Sequence, residues 1–432
     1  MQTMKMNRRS FLKAGFTAAA ATTLPNVIPS SALGKDGATA PSERIVMGGI
    51  GIGGRGSADL NGLLNEPEVR FAAICDVQKT KRELAKNTVD AKYGNKDCVT
   101  YRDLRELIAR PDIDAVLIAT GDRWHALASI LAMRAGKDMY CEKPGSLYIT
   151  QGAALVETAR RCGRIFQSGI QRLSEQNFII AGELLRLGRL GKVHTVHAHL
   201  WHIPTWPRKA ETFPAEPEPP KEEIDWDLFL GPCAWRPYNK FYVQHGWQRT
   251  LDMATGVAQW GSHTICQCQA DLDLANTSPI EYEYPTSGDA EGMTARFANG
   301  VKLVITRNGW HGSCGVRYEG TEGWVAVADG YQTPEVSSPS LLQDSRKLVS
   351  DHVARTGHPV GHLRDFLDGV RARRRCVANE EVAHRTMTTN HIMDICMDLK
   401  RNLKWDPAKE EFVNDAEANR LRSRSMRAPW RL

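Results

Sequence analysis

Residues 44–57 read Arg-Ile-Val-Met-Gly-Gly-Ile-Gly-Ile-Gly-Gly-Arg-Gly-Ser, an apolar run that breaks into a glycine-rich turn. The spacing of Gly51, Gly53 and Gly56 fits the G-x-G-x-x-G pattern that joins a strand to a helix beneath a dinucleotide pyrophosphate. Gly51 permits the tight turn, and Gly53 lets the backbone approach phosphate with no Cβ in the way. Gly56 lets the helix lie close to the sheet. Gly54 and Arg55 fall inside the same turn, and a second register, Gly49-x-Gly51-x-x-Gly54, also fits. The pattern predicts a strand over Arg44–Met47 and a helix beginning near Ser57. Unpaired N–H groups and partial positive charge at that helix start would face the anion.

Asp76 closes the apolar run Val69–Cys75 about twenty residues past the turn, where a carboxylate accepts from ribose hydroxyls. A carboxylate there repels a 2′-phosphate and favours NAD, while Lys79 and Arg82 nearby act against that preference and leave NADP open. From Arg44 to about Arg164, apolar runs alternate with amphipathic helices, the signature of a parallel sheet with crossovers. A helix is expected over Lys79–Lys92, stopping at Gly94, and a buried strand over Ala115–Ala119. Leu127, Ile130 and Leu131 form a helical stripe that ends at Gly136. Met139-Tyr140-Cys141 then leads as a strand into Glu142-Lys143-Pro144. Lys143 therefore sits at the carboxyl end of a strand, where ligands of such sheets bind. A doubly wound, Rossmann-type domain is expected over residues 42–165.

The N-terminus speaks to location. Asn7-Arg8-Arg9-Ser10-Phe11-Leu12-Lys13 reads as a twin-arginine export signal. A weakly apolar stretch, Ala14–Leu24, and a small-residue cleavage candidate, Ser30-Ser31-Ala32, follow it. Residues 1–32 are set apart as a leader, which implies a periplasmic or cell-envelope protein. That route exports folded proteins, as a protein that loads its nucleotide in the cytoplasm would require. The apolar run is too short and weak to span a membrane.

Composition sets the class. With 42% hydrophobic and 25% charged residues among 432, the chain is an ordinary soluble globular protein long enough for two domains. Net charge is only +6, and its densest basic run, Arg371–Arg375, lacks the interleaved aromatics of single-strand binders. No nucleic-acid partner is expected. Ten cysteines with no CxxC pair specify neither a disulfide framework nor a zinc site, and buried free thiols are expected.

A second region spans residues 166–432. Helical periodicity covers Glu175–Leu187, closed by Gly188, and alternation marks Val193–Trp201 as a strand. Thr205–Glu223 is rich in Pro and Glu and reads as a surface loop. Alternating runs at Val301–Thr306 and Trp324–Ala328 imply a large, mostly antiparallel sheet. Leu363, Phe366, Leu367 and Val370 form the stripe of a late helix.

Together, Gly51–Gly56, Asp76, Thr120 to His125, Glu142-Lys143-Pro144 and Trp260-Gly261-Ser262-His263 resemble the Gfo/Idh/MocA oxidoreductases. The ending, Leu403–Pro407 through Arg427–Trp430, looks like that of their exported, twin-arginine-leader branch, which includes glucose–fructose oxidoreductase-like proteins. The resemblance implies a Rossmann domain and an α/β domain whose open sheet mediates homodimers or homotetramers. It also implies NAD(P)-dependent oxidation or reduction of a sugar, glycoside or cyclitol hydroxyl, with no metal. By position, Lys143 contacts the nicotinamide ribose and the reacting hydroxyl, and His263 is the general base. Thr120, Trp124, His125 and Glu142 line the cofactor pocket, while Gln171, Arg172 and His199 join Lys143, Gln259 and His263 around the substrate. The family often carries Asp four residues before the histidine; here that position is Gln259, which can hydrogen-bond but cannot act as an ionised base. Asp252 and His245 are the nearby groups that could stand in.

Other groupings compete. His197, His199 and His202 could ligate a metal, although no local carboxylate or cysteine completes the set. Trp201, Trp206, Trp247 and Trp260 could stack on a sugar ring or pack in a core. Three functions fit: an oxidoreductase that keeps its NAD and is reset by a second substrate, a redox-neutral glycoside hydrolase working by oxidation and elimination, and a non-catalytic sugar-binding protein.

Overall fold

The computed structural model describes residues 40–202, 212–244, 246–288, 290–307 and 312–432. The twin-arginine leader, His245, Trp206 and the first part of the 205–223 loop lie outside them. The chain divides at residue 44 into two units. Of the first, the described part is a single 3₁₀ turn at Pro41–Glu43; all that follows concerns Ile45–Leu432.

A glycine-rich β/α crossover opens the first layer. Strand β1 (Ile45–Ile50) leads into helix α1 (Gly54–Leu64), so the strand runs three residues further than expected and the helix starts three residues earlier. The reason is steric. Gly48 and Gly49 are pressed under Leu107 and Ile74, where any Cβ would come within 2.6 and 2.8 Å of those side chains, so they extend the buried strand. Gly51 turns the chain at φ +71°, and a Cβ there would sit 2.4 Å from Thr120. The helix can then begin at once.

Strand β2 (Val69–Cys75), helix α2 (Lys79–Tyr93), strand β3 (Val99–Tyr101), helix α3 (Leu104–Ile108), strand β4 (Ala115–Ile118), helix α4 (Asp122–Arg134), strand β5 (Asp138–Cys141) and helix α5 (Ile149–Cys162) continue the alternation. The first sheet has the order β3-β2-β1-β4-β5-β6, parallel throughout. Its sixth strand, β6 (Phe166–Ser168), lies just beyond the expected boundary at residue 165. The two faces of this sheet are covered by separate apolar clusters.

After β6 come helix α6 (Gln176–Arg186), strand β7 (Val193–Leu200), the short helices α7 (Trp226–Leu230) and α8 (Lys240–Gln244), and helix α9 (Ala258–Asp271). Then follow β8 (Glu281–Glu283), β9 (Thr294–Arg296), β10 (Lys302–Thr306), β11 (Cys314–Gly320), β12 (Trp324–Ala328) and β13 (Glu335–Val336). Helices α10 (Ser345–Thr356), α11 (His362–Ala372) and α12 (Glu380–Leu399), strands β14 (Leu403–Asp406) and β15 (Glu411–Phe412), and helix α13 (Ala416–Arg420) complete the chain. The second sheet runs β13-β12-β11-β7-β10-β9-β8-β14-β15, antiparallel except where β7 meets β10. Val196, Ala198 and Leu200 of β7 share one apolar cluster with Ile265 and Cys268 of α9 and Ile392 and Cys396 of α12.

The late elements return to the first sheet. Phe366 and Leu367 of α11 are buried with Met47, Leu63 and Leu117, and Trp430 packs edge-on to Trp124 with ring centroids 4.8 Å apart. All ten cysteines are free thiols, nine of them buried. Among the described residues, no helix is long and apolar enough to cross a membrane.

Candidate active site

The carboxyl ends of β1, β2, β4 and β5 open into a cavity of about 910 Å³, lined on its other side by α9 and by Leu228, Phe229, Val243, Gln244, Trp247 and Gln248. Its walls hold the glycine turn. A Cβ at Gly53 or Gly54 would meet nothing within 4 Å, so both backbones face open space. Among the described residues helix α1 has no side-chain cap at its start, and its dipole points its positive end into this space. That is the environment a pyrophosphate requires. Asp76 stands at the end of β2, its carboxylate accepting from the Gln78 N–H at 2.9 Å. Burial pushes its pKa up to about 6, against the Gln78 hydrogen bond and the charges of Arg82 and Lys81. The residues present fit a dinucleotide: an open glycine cradle for phosphates and a buried carboxylate for ribose hydroxyls.

A strap, residues 223–225, pairs with the chain just after Asp76. Gln78 forms an antiparallel bridge with Ile224, the Lys79 N–H donates to the Glu223 carbonyl at 2.9 Å, and the Asp225 N–H donates to the Val77 carbonyl at 3.0 Å. Ion pairs Lys79–Glu223 (2.9 Å) and Arg102–Asp225 (3.2 Å) fasten it further. Lys79, read from sequence as a weakener of NAD preference, is therefore engaged by the strap, and Arg82 donates to the Asp76 carbonyl at 2.7 Å.

At the opposite end, Lys143 and helix α9 converge. Lys143 Nζ donates to the backbone carbonyl of Gln259 at 2.6 Å and lies 5.3 Å from the Trp260 ring centroid. The next turn of α9 brings His263 into the same cavity. His263 is buried, and its Nδ1 has no hydrogen-bond partner among the described residues. Burial first, then the positive charges of Lys143, Arg172 and Arg55, hold its pKa well below the usual histidine range. Both effects favour the neutral imidazole, whose Nδ1 faces no partner among the described residues. The Gln259 side chain turns back to its own helix start, donating to the Thr255 carbonyl at 3.2 Å. Two buried carboxylates set that start: Asp122 accepts from the Thr255 N–H at 2.9 Å, and Asp394 accepts from the Gly256 and Val257 N–H groups at 3.1 and 2.9 Å. Neither was found from sequence; only their place at the first turn of α4 and on α12 shows the role.

Several expected site residues are engaged elsewhere. His199 is not in the cavity: it alternates with Val196, Ala198 and Leu200 and so lies on the other face of β7, its Nε2 against the Gly312 carbonyl at 3.1 Å. Glu142 accepts from Gln171 at 2.8 Å, from Arg55 at 3.4 Å and from the Lys143 N–H at 3.1 Å. Beside it, Asp59, one helical turn from Arg55, is pushed up to about 8, by burial first and then by the Glu142 charge. Gln171 also donates to Tyr140 at 2.9 Å, and Arg172 grips Asp329 through two bonds of 2.7 and 2.5 Å. His125 bridges the carbonyls of Pro144 (2.7 Å) and Thr120 (3.0 Å), tying the loop after β4 to the loop after β5. Trp124 donates to the Leu228 carbonyl. Glu142, Gln171, Arg172, His125 and Trp124 border the cavity as wall and bracing. Asp252 pairs with Arg236 and does not border it. Among the described residues, no cluster of three or more His, Cys, Asp or Glu is placed to hold a metal; His197 instead lies 3.5 Å from Glu319.

Known proteins agree with this layout. Residues 44–170 match the oxidoreductase family's NAD-binding Rossmann fold, and residues 191–432 match its C-terminal alpha/beta domain. A glycosyl hydrolase family 109 protein of Shewanella baltica is 30% identical over 222 residues, 46% of this chain and 48% of the relative. Myo-inositol 2-dehydrogenase of Thermotoga maritima is 28% identical over 150 residues, 35% of this chain and 43% of the relative. The chain thus matches about half the length of these curated relatives or less. Among solved structures, the WlbA dehydrogenase of Bordetella pertussis, in complex with NADH and UDP-GlcNAcA, aligns with a TM-score of 0.60 at 15% identity, covering 85% of this chain and 99% of that one. With both domains matched in order, and the glycine turn, Asp76 and Lys143 around one cavity, the chain belongs to the Gfo/Idh/MocA oxidoreductase family, with an NAD-binding Rossmann domain.

Proposed function

We propose that this protein is a nicotinamide-dependent oxidoreductase acting on a hydroxyl of a sugar, glycoside or cyclitol, and that it holds its NAD tightly in the cell envelope. The convergence of Lys143 and His263 on the cavity that also contains the glycine turn carries this reading. A substrate hydroxyl placed between them gives its proton to the neutral His263, and the Lys143 ammonium stabilises the developing alkoxide. Bound NAD supplies the hydride acceptor. Trp260 beside Lys143 offers a flat face to a sugar ring. The Arg8-Arg9 leader supports export, and the strap over Gln78 and Lys79 supports retention of nucleotide away from the cytoplasmic pool. The nine-stranded sheet offers a surface for a homodimer or homotetramer, checked by light scattering.

A second reading, the redox-neutral glycoside hydrolase, draws support from the glycosyl hydrolase family 109 relatives. One experiment separates the two. Protein purified from the exported fraction without added nucleotide is denatured, and NAD, NADH and NADP are quantified by mass spectrometry. The native protein is then offered a panel of sugars and glycosides. About one nucleotide per chain, reduced by a free sugar and reset by a second substrate, fits the oxidoreductase. Aglycone release without net NADH fits the hydrolase. An empty protein that takes up no nucleotide refutes both.

A further inference from the structure

Arg123 stands at the first turn of α4 and borders the cavity, yet it is only 4% exposed. Its Nε donates to the Phe229 carbonyl at 2.6 Å. The guanidinium lies 4.3 Å from the Phe229 ring centroid and 5.6 Å from that of Trp247. Its Nη1 is buried with no partner among the described residues. Gly121 leaves the room it occupies, since a Cβ there would come within 2.4 Å of that nitrogen.

The nearby acids are otherwise committed. Asp122 accepts from the Thr255 N–H and hydroxyl, at 2.9 and 3.0 Å, and Asp252 pairs with Arg236. Burial lowers the pKa of Arg123, but a guanidinium does not lose its proton in a protein. A cation buried without a counter-charge is costly unless a ligand supplies one. The three other arginines of the cavity wall are paired, Arg55 with Glu142, Arg102 with Asp225 and Arg172 with Asp329, and Lys143 donates to the Gln259 carbonyl.

We propose that Arg123 anchors an oxyanion subsite of this cavity, taking a phosphate or carboxylate oxygen from the ligand. A guanidinium fork suits either group, and the aromatic rings beside it keep water away from the contact. The anion comes from the diphosphate of the bound nucleotide or from the carboxylate of an acidic sugar. The inference deepens the reading of the cavity as a nucleotide and sugar site and rests on it.

The test pairs charged and neutral probes. After any co-purified nucleotide has been removed, as verified by mass spectrometry, ADP, adenosine, glucuronate and glucose are titrated into wild type, Arg123→Gln and Arg123→Lys, following tryptophan fluorescence. Arg123→Gln is expected to weaken one oxyanion by about tenfold or more while its neutral twin changes little, with Arg123→Lys in between. Loss confined to ADP identifies the diphosphate; loss confined to glucuronate identifies a substrate acid. Inorganic phosphate is the bare probe, read as a rise in melting temperature present in wild type and absent from Arg123→Gln. That result with no response to any of the four larger probes supports the subsite while sinking the nucleotide and sugar reading. If a variant that melts like wild type binds every oxyanion equally well, phosphate included, Arg123 has no such role. Should Arg123→Gln fail to fold, the comparison of wild type with Arg123→Lys decides by the same criteria.

Discussion

Lys143 Nζ donates to the main-chain carbonyl of Gln259 over 2.6 Å, so the ammonium is held by the backbone of α9 and not by the side chain at that position. The family's frequent Asp is replaced here by Gln, but the tether does not depend on which residue stands there. Gln259→Ala is therefore expected to lower kcat/KM by less than about tenfold, whereas Lys143→Met lowers it at least about a hundredfold. Steady-state kinetics on variants that melt like wild type checks both. A collapse of activity in Gln259→Ala would show that the side chain itself works on the substrate.

We propose that Asp76, the buried carboxylate at the end of β2, sets cofactor choice. Asp76→Ser removes the repulsion of a 2′-phosphate, and the ratio of NAD to NADP affinity is expected to fall by about tenfold or more. Competitive binding of the two nucleotides measures it. An unchanged ratio would move specificity to the strap or to Lys81.

Two buried histidines make acid costly. His263 is held well below the usual range, by burial first and then by Lys143, and burial pushes His362 down to about 4. In the unfolded chain both titrate near the ordinary histidine value, about 6.5, so there the unfolded state binds protons that the folded state refuses. The stability they contribute is full above that pH and is lost as pH falls below it. His263→Asn is expected to flatten the fall in melting temperature between about pH 7.5 and pH 5. A parallel decline in wild type and variant would refute the neutral buried histidine.

Asp59 shifts the other way. Burial and the neighbouring Glu142 raise it to about 8, so the folded protein keeps a proton that the unfolded chain has already released. Stability from this site therefore declines as pH rises towards that value. Asp59→Asn keeps the group neutral at every pH and removes the decline, and its amide oxygen can still accept from the half-exposed Arg55, which lies 2.7 Å from Asp59. The variant is expected to gain on wild type as pH rises from about 5 to about 8 and to keep that gain beyond it, as read by denaturant midpoints. A gap that is constant with pH would mean Asp59 is ionised throughout.

The sequence by itself determined what backbone geometry and short-range periodicity control. The glycine turn, the parallel sheet, Asp76 closing β2, Lys143 leaving β5 at its carboxyl end and the four-residue step from Gln259 to His263 were all legible, because each follows from local constraints on φ and ψ or from the pitch of a helix. Tertiary structure alone decided which polar side chains the site keeps available. Gln171, Arg172, Glu142 and His125 carry the right chemistry, yet each is bonded to a partner brought from a distant part of the chain or sheet. His199 was misplaced because alternation along a strand shows that two faces differ but not which one a helix will cover. Likewise α11 and Trp430 return to complete the first domain through apolar contacts, and apolar contact carries no directional mark that spacing in a sequence can reveal.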